Sequence, residues 1–340
     1  MRTAIPISMW SNVKRWLPGV IISAVAFWLV LRNISLQNFS DALSSINLPA
    51  LALVVAIYFL SLGFRALCWQ VLLQKKAPFS QTLLVLGEGY LLNNLLPLRV
   101  GELGRAVLLG RRKDMGFFKV LSTIVVERAY DMVIAASLML GTIPLVLNMD
   151  SSKPLAIGIL SVVILGLVVL VWMAHYREKV NNLAMRLGGR WAFVKNWVIP
   201  KLDSLLEGFA VLNRPQYFAI SFGFMLLCWG SSILEEFIIL RSLIPNAPFW
   251  WVGFVISAAA LGAAVPSAPA ALGVYEGFTV AALSLVGVDP AKGLVFAILA
   301  HFVSFTFSNL VGVIGLVREG ESISSLYQSL VVRKKASTLQ

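Results

Sequence analysis

NNLLPLRVGELGR, residues 93–105, interrupts the apolar sequence with two arginines and a glutamate. As helices, the apolar run before it (residues 83–96) would reach only about 21 Å and the run after it (residues 100–109) about 15 Å, against a membrane hydrocarbon core of about 30 Å. Pro97 breaks a helix, and Gly101 loosens the backbone beyond it. Irregular backbone at membrane depth is tolerated only where protein or a wet cavity covers it. The stretch therefore predicts a hairpin that enters the membrane, turns at a polar tip and leaves again.

The composition is that of a polytopic membrane protein. Of the 340 residues, 59% are hydrophobic and 13% are charged, and apolar runs long enough to span a membrane recur along the whole chain. The net charge of +12 indicates basic loops beside anionic lipid, and no nucleic-acid partner is expected. Two cysteines and two histidines, each pair far apart, provide no disulfide framework and predict no metal centre. No cofactor is expected.

Six full spans and two broken segments are predicted, which makes the fold an all-α polytopic membrane protein. The basic loops all fall on one side, and the loops of the other side contain one basic residue between them, Lys153. The positive-inside rule therefore places both termini in the cytoplasm and the chain in the cytoplasmic (inner) membrane. The same charges also fit eight or more crossings, if each broken segment counts as two short spans. The spans are expected at about 16–31, 48–73, 118–147, 155–174, 217–240 and 292–317, and the broken segments at about 79–109 and 249–286.

Two units of this single membrane domain have the same order of elements. Residues 48–147 and residues 217–317 each run span, hairpin, span, in opposite orientations across the membrane. This is the inverted-repeat plan of secondary transporters, whose binding sites lie where the broken helices meet. A short echo supports the repeat, because Pro97-x-x-x-Gly101-Glu102 resembles Pro269-x-x-x-Gly273-x-x-Glu276.

A basic segment, residues 176–214, links the two halves on the cytoplasmic side. Leu202, Leu205, Leu206 and Phe209 share one helical face within it. This pattern fits an amphipathic helix on the membrane surface. It fits equally a solvated loop with some packing.

Three charged residues lie deep in the third predicted span. Glu127, Arg128 and Asp131 are about 13–20 Å along it, where an unpaired charge is costly. One interpretation is a self-neutralising structural cluster that pins the hairpin. The other is a cationic pocket for an anionic headgroup, formed by Arg128 with Arg99 and Arg105 and kept ordered by the acids, because the arginine fork pairs well with phosphate.

Other charged or polar residues receive simpler interpretations. Arg65, near the inner end of the second span, is expected to snorkel to the membrane surface. Glu236 and Arg241 are expected to form a boundary pair, and His301 to be a satisfied packing residue. The helix that begins near Gly101 is expected to aim backbone N–H groups at an anion.

Three motifs together resemble a known family. The chain is similar over nearly its whole length to the lysylphosphatidylglycerol synthase transmembrane region, the flippase-like half of the bacterial multiple peptide resistance factor and its stand-alone relatives. The resemblance implies lipid handling, argues against lysyl transfer, and adds Asn94, Glu102, Tyr275 and Glu276 to the substrate-binding residues. The motifs are Asn94-x-x-Pro97-x-Arg99-x-Gly101-Glu102-x-x-Arg105, Glu127-Arg128-x-x-Asp131 and Pro269-x-x-x-Gly273-x-Tyr275-Glu276-Gly277.

The third motif departs from the family pattern. The family often has Pro-Gly-Gly-x-Gly there, whereas this chain has Pro269-Ala270-Ala271-Leu272-Gly273. Alanine resists the left-handed backbone that glycine adopts freely. A tight turn is therefore not predicted at this point.

The sequence favours a lipid translocase over an enzyme. Its expected ligand is an anionic phospholipid or a lipid-linked phosphate, moved between leaflets downhill or coupled to an ion, with Glu102, Glu127 or Asp131 as proton carriers. The sequence contains no Gly-x-x-x-x-Gly-Lys-Ser/Thr loop for a nucleotide and no Asp-x-Asp motif for a catalytic metal. Two alternatives stay open: a membrane enzyme such as a lipid-linked sugar or aminoacyl transferase, and a non-transporting partner of a separate lipid synthase. The sequence is also compatible with a homo-oligomer.

Overall fold

A computed structural model describes residues 48–96, 100–112, 115–147, 175–188, 193–262 and 268–319, with scattered single positions between 28 and 191. These residues are almost entirely helical. A π-helical turn, Val194–Val198, and a 3₁₀ turn, Ala210–Asn213, flank one helix, and a second 3₁₀ turn covers Pro269–Ala271. The α-helices are α1 (Leu48–Leu72), α2 (Phe79–Leu95), α3 (Gly101–Arg112), α4 (Phe117–Leu147), α5 (Arg177–Gly188), α6 (Ile199–Phe209), α7 (Pro215–Leu243), α8 (Phe249–Gly262), α9 (Val274–Leu285) and α10 (Pro290–Glu319).

Within the described ranges, four helices are long and apolar enough to cross a membrane, namely α1, α4, α7 and α10. They agree closely with the second, third, fifth and sixth predicted spans, so a polytopic all-α membrane protein is confirmed. The predicted first and fourth spans, at 16–31 and 155–174, lie outside the described residues apart from scattered positions.

Both broken segments consist of two short helices. At 1.5 Å per residue, α2 and α3 reach about 26 Å and about 18 Å, and α8 and α9 about 21 Å and about 18 Å. Each is shorter than a hydrocarbon core of about 30 Å. The link between α2 and α3 includes residues 97–99, which are not among the described residues.

Helices from the two halves, before and after the linker, pack on one another. Helix α1 packs on α7, α2 packs on α10, and α8 packs on α4. Ser61 contacts Ser232 at 2.8 Å, whereas Phe64, further along α1, stacks near Phe224, earlier on α7. Helices α1 and α7 therefore run antiparallel.

Small residues allow the closest of these contacts. A Cβ atom on Gly87 would lie 2.8 Å from the backbone nitrogen of Gly312 and 2.6 Å from the Val311 side chain. Helices in membranes gain association energy from such close backbone approach. The contact fixes the first short helix of one segment against the last long helix, α10.

Part of the linker packs on the protein. Leu206 and Phe209, part of the predicted apolar face, are buried in the main core cluster, and α6 packs against α4. These two residues of the predicted apolar face therefore pack on protein, whereas Leu183, Leu187 and Phe193 of the same linker are exposed. Arg177 donates hydrogen bonds to Asp203 at 2.6 and 2.5 Å, which holds the pKa of that carboxyl below its usual range.

Candidate functional site

Five charged side chains from α1, α3 and α4 form what we call the arginine cluster: Arg65, Arg105, Glu127, Arg128 and Asp131. Glu127 accepts hydrogen bonds from Arg65 at 3.0 Å, from Arg105 at 2.6 and 3.2 Å, and from Arg128 at 2.8 Å. Asp131 accepts from Arg65 at 2.6 and 3.1 Å and lies 3.2 Å from a nitrogen of Arg128. Three guanidinium groups face two carboxylates, so these five side chains carry one positive charge in excess.

One side of the arginine cluster is sealed. The side chains of Glu127 and Arg105 are 0% and 3% exposed. The guanidinium carbon of Arg105 lies 3.9 Å from the centre of the Trp69 ring, a cation–π contact, and the Trp69 indole donates to Thr123 at 3.0 Å. Arg105 is thus held as a structural cation by Glu127 and the Trp69 ring, although its Nε atom, like that of Arg128, has no hydrogen-bond partner among the described residues.

Arg128 occupies the open side of the arginine cluster. Its side chain is 35% exposed and lines a cavity. Its Nε atom is buried and has no hydrogen-bond partner within the part of the chain that the structure describes. A guanidinium offers five N–H donors, and the described contacts of Arg128 with Glu127 and Asp131 involve two of its nitrogens. The exposed part of the guanidinium therefore keeps donor capacity for a ligand in the cavity.

The cavity lies between the two halves of the protein. Its volume is about 380 Å³, within the range of small-ligand sites. Arg65, Tyr90, Asn94 and Arg128 line one end and come from α1, α2 and α4. The lining from the other half consists of Cys228, Trp229, Ser232, Ile256, Ala270, Ala271, Tyr275, His301, Ser304, Phe305 and Ser308.

A second group of titratable side chains, which we call the acidic cluster, adjoins the other end of the cavity: Glu235, Glu236, Tyr275, Glu276 and His301. The His301 ring nitrogen Nδ1 lies 2.6 Å from a Glu276 oxygen. The Tyr275 hydroxyl donates to Glu236 at 3.4 Å, and the Tyr275 and His301 rings are 4.9 Å apart. Tyr275 and His301 line the cavity, so they connect the buried glutamates to it.

The two clusters occupy matching places in the two halves. Arg65 lies seven residues before the end of α1, and Glu236 lies seven residues before the end of α7. Arg128 lies eleven residues after the start of α4, and His301 eleven residues after the start of α10. Equivalent positions therefore carry arginines in one half and acids with a histidine in the other.

The turn before α9 is tight although alanines occupy two of its left-handed positions. Ala270 and Ala271 have φ values of 58° and 56°, in the left-handed region. The chain keeps a tight turn in spite of the alanines, at a cost of about 1–2 kcal/mol for each of them. Both alanines line the cavity, and Gly273 donates its N–H to Glu276 at 2.6 Å.

Most of the predicted site residues border the cavity or the arginine cluster, but not all of them do. Asn94 lines the cavity and donates to Asn309 at 2.9 Å. Glu102 lies outside the arginine cluster and accepts a 3.4 Å hydrogen bond from Asn93. Arg99 lies outside the described residues.

The expected anion site at the start of α3 is also different. The Gly101 N–H donates to the Asn93 side chain at 2.7 Å and is thus already satisfied. Asn93 caps the helix that the sequence analysis assigned to a ligand.

Arg65 is the residue that the sequence analysis misplaced. It does not snorkel, because its guanidinium bridges Glu127 and Asp131. A signal was available: Glu127, Arg128 and Asp131 sum to one negative charge, and a buried negative charge requires another cation.

The expected pair between Glu236 and Arg241 is absent from the described contacts. Arg241 donates to the backbone oxygen of Pro245 and lies 5.3 Å from the Phe237 ring centre. His301 is not a simple packing residue either, because it pairs with Glu276.

The comparisons with known proteins agree with this architecture. Residues 16–312 match the family model described as the lysylphosphatidylglycerol synthase TM region. A UPF0104 membrane protein of Methanothermobacter thermautotrophicus is 23% identical over 328 residues, which cover 90% of this chain and 96% of the relative. A UPF0104 membrane protein of Methanocaldococcus jannaschii is 24% identical over 226 residues, which cover 66% of this chain and 92% of the relative. No solved structure matches the chain. Because the family model covers most of its length, the chain belongs to the family of the lysylphosphatidylglycerol synthase transmembrane region.

Proposed function

We propose that the protein is a lipid translocase, which binds an anionic phospholipid headgroup or a lipid-linked phosphate in the cavity and moves it between leaflets. The single observation that carries this proposal is Arg128. It lines the cavity, its side chain is 35% exposed, and it belongs to a cluster with one positive charge in excess. The family, named for the membrane region of a lipid synthase, supports a lipid as the ligand.

The arrangement of the arginine cluster suits a phosphate group. Arginine binds phosphate through two parallel N–H donors and remains charged in a partly dry site. Glu127 and Asp131 hold Arg65 and Arg105 in place, so the cluster stays ordered when no lipid is bound. Arg128 and Asn94 would then contact the headgroup from α4 and α2, with Tyr275 on the part of the cavity wall that the other half provides and Glu276 next to it in the chain.

The packing of the helices supports a transporter made of two inverted units, about 48–147 and 217–317. Helices α1 and α7 run antiparallel, and the first short helix of each pair, α2 or α8, packs on the last long helix of the other unit. In inverted-repeat transporters the site lies between the units, and rocking of one unit against the other exposes it to each side in turn. We infer six full spans with two re-entrant hairpins and both termini in the cytoplasm.

In this proposal the protein moves lipid without changing its covalent structure. A separate lipid synthase is then the natural supplier of its substrate. The test must distinguish this translocase from the two alternatives, a lipid-modifying enzyme and a non-transporting partner of a lipid synthase.

The test is a flipping assay in proteoliposomes with fluorescent phosphatidylglycerol, in which a membrane-impermeant quencher reports the outer leaflet. The wild-type protein is expected to move the probe, and Arg128→Ala is expected to reduce the rate to that of protein-free vesicles. Arg186→Ala, which removes an exposed arginine of α5, is the matched control and should retain the wild-type rate. Equal rates for Arg128→Ala and wild type would refute the pocket. Absence of flipping by the wild type would refute translocation, and recovery of a chemically modified probe would identify an enzyme.

A further inference from the structure

Two adjacent glutamates of α7 are buried and have no basic partner among the described residues. Glu235 and Glu236 are only 5% and 9% exposed. The Oε2 atom of Glu236 has no hydrogen-bond partner, and neither glutamate forms an ion pair with lysine or arginine among the described residues. Burial of an unpaired carboxylate charge is costly, so these groups require a proton or a cation.

The other groups that face these glutamates are weak acids and one histidine. Tyr58 of α1 is within electrostatic range of Glu235. Tyr275 and Glu276 come from α9 and His301 from α10. Helix α8 contributes no acid, base or tyrosine, since its sequence from 249 to 262 contains none. The arginine of α7 itself, Arg241, is directed to Pro245 and Phe237.

These groups form a chain between the cavity and the buried glutamates. Three residues of α7, Cys228, Trp229 and Ser232, line the cavity, and Glu235 and Glu236 follow three to four residues later on the same face. Tyr275 reaches Glu236 from the cavity wall, and His301 reaches Glu276. Carboxylates linked to histidine in this manner are the usual components of proton relays in membrane proteins.

The acids of the arginine cluster are less suited to carry a proton. Every oxygen of Glu127 and Asp131 accepts a hydrogen bond from a guanidinium or an indole in this conformation. A proton would have to displace one of these donors. The sequence-based choice of Glu127 or Asp131 as proton carrier is therefore less favoured than the acidic cluster.

We propose that Glu235, Glu236 and the Glu276–His301 pair bind the proton that travels with the anionic headgroup, so that the protein is a proton–lipid symporter. This inference rests on the proposed function. The headgroup binds at the arginine end of the cavity while a proton binds to a carboxylate at the acidic end, and both are released on the opposite side. For a headgroup with one negative charge, each cycle moves no net charge, so the membrane potential does not oppose it.

The experiment measures the steady-state distribution of fluorescent phosphatidylglycerol between leaflets while a pH difference is imposed and the membrane potential is clamped to zero. With one proton per lipid, a pH difference of about one unit is expected to shift the distribution about tenfold toward the alkaline side. The double variant Glu235→Gln/Glu236→Gln is expected to show no shift. Glu178→Gln, an exposed glutamate of the linker, should shift as the wild type does.

The outcomes separate the two proposals. Wild-type flipping without a response to pH overturns the symport and leaves the translocase intact, whereas no wild-type flipping overturns both. A shift driven by a sodium gradient at constant pH also overturns the proton assignment. Infrared spectra provide a transport-free measurement, in which the carbonyl band of a protonated carboxylic acid should titrate in the wild type and be lost in the double variant. If that band is missing from the wild type, the proposal is wrong even where the variants misfold.

Discussion

Replacement of Glu127 by glutamine tests whether the arginine cluster is the structural centre of the first half. The carboxylate accepts four hydrogen bonds from three arginines, at 2.6 to 3.2 Å, and is 0% exposed. Each hydrogen bond to a charged group contributes about 1.5–3 kcal/mol, and the contributions are not additive. Arg65 and Arg128 retain Asp131, but Arg105 loses its carboxylate partner. Removal of one partner from such a buried pair costs about 3–5 kcal/mol, which is the destabilisation we expect for Glu127→Gln.

The measurement is the free energy of unfolding in mixed detergent micelles as the fraction of denaturing detergent rises. Asp131→Asn is the comparison, because Arg65 and Arg128 both keep Glu127 and Arg105 is untouched. It should cost less, about 1–3 kcal/mol. Glu178→Gln should stay within about 0.5 kcal/mol of the wild type. A cost below about 1 kcal/mol for Glu127→Gln, as at exposed salt bridges, would show that water screens the charges of the arginine cluster. It would refute the claim that this cluster is the structural centre of the first half.

Three further predictions concern the backbone and the linker. Ala271→Gly should raise the free energy of unfolding by about 0.5–1 kcal/mol, because φ is 56° there and glycine removes the strain; a decrease in the same detergent titration would contradict this. Gly101→Ala should lower it by about 1–3 kcal/mol or more, since the new Cβ would lie 2.6 Å from the Asn93 side-chain oxygen. Gly223→Ala, where nothing lies within 4 Å, should not lower it, and equal effects at both glycines would contradict the close approach. Asp203→Asn should lower the free energy of unfolding near pH 7 by less than about 1 kcal/mol, because its ion pair with Arg177 is partly exposed. The pKa of Asp203 is lowered in the folded state, so its contribution is present above the unfolded value and is lost as pH falls through about 4 and below; a difference that persists at low pH would contradict the ion pair.

The long helices were predictable because hydrophobicity and length together define a membrane span. Helix α4 was expected from 118 to 147 and runs over Phe117–Leu147. The broken segments were predictable for the same reason, since apolar runs interrupted by Pro97 or Pro269 are too short to cross. Glu127, Arg128 and Asp131 were found because a charge at membrane depth needs a partner or a role.

The contacts between distant elements were not predictable from one sequence. Arg65 reaches Glu127 because α1 packs beside α4. The sequence indicates that the three charges of α4 need a further cation, but it does not indicate that α1 lies beside them. The pairing of Glu276 with His301 likewise depends on how α9 lies against α10. Local rules also failed at Ala271, where the tertiary structure imposes a left-handed backbone that alanine disfavours.

The central claim is that the cavity between the two halves holds an anionic lipid headgroup at Arg128. The most direct test is a density map of the protein in nanodiscs that contain phosphatidylglycerol, compared with nanodiscs made only of zwitterionic lipid. The account predicts headgroup density in the cavity within hydrogen-bonding distance of the Arg128 guanidinium in the first sample, and its loss in Arg128→Ala. A cavity that contains only water in both samples, with lipid confined to the outer surface of the helices, would contradict it.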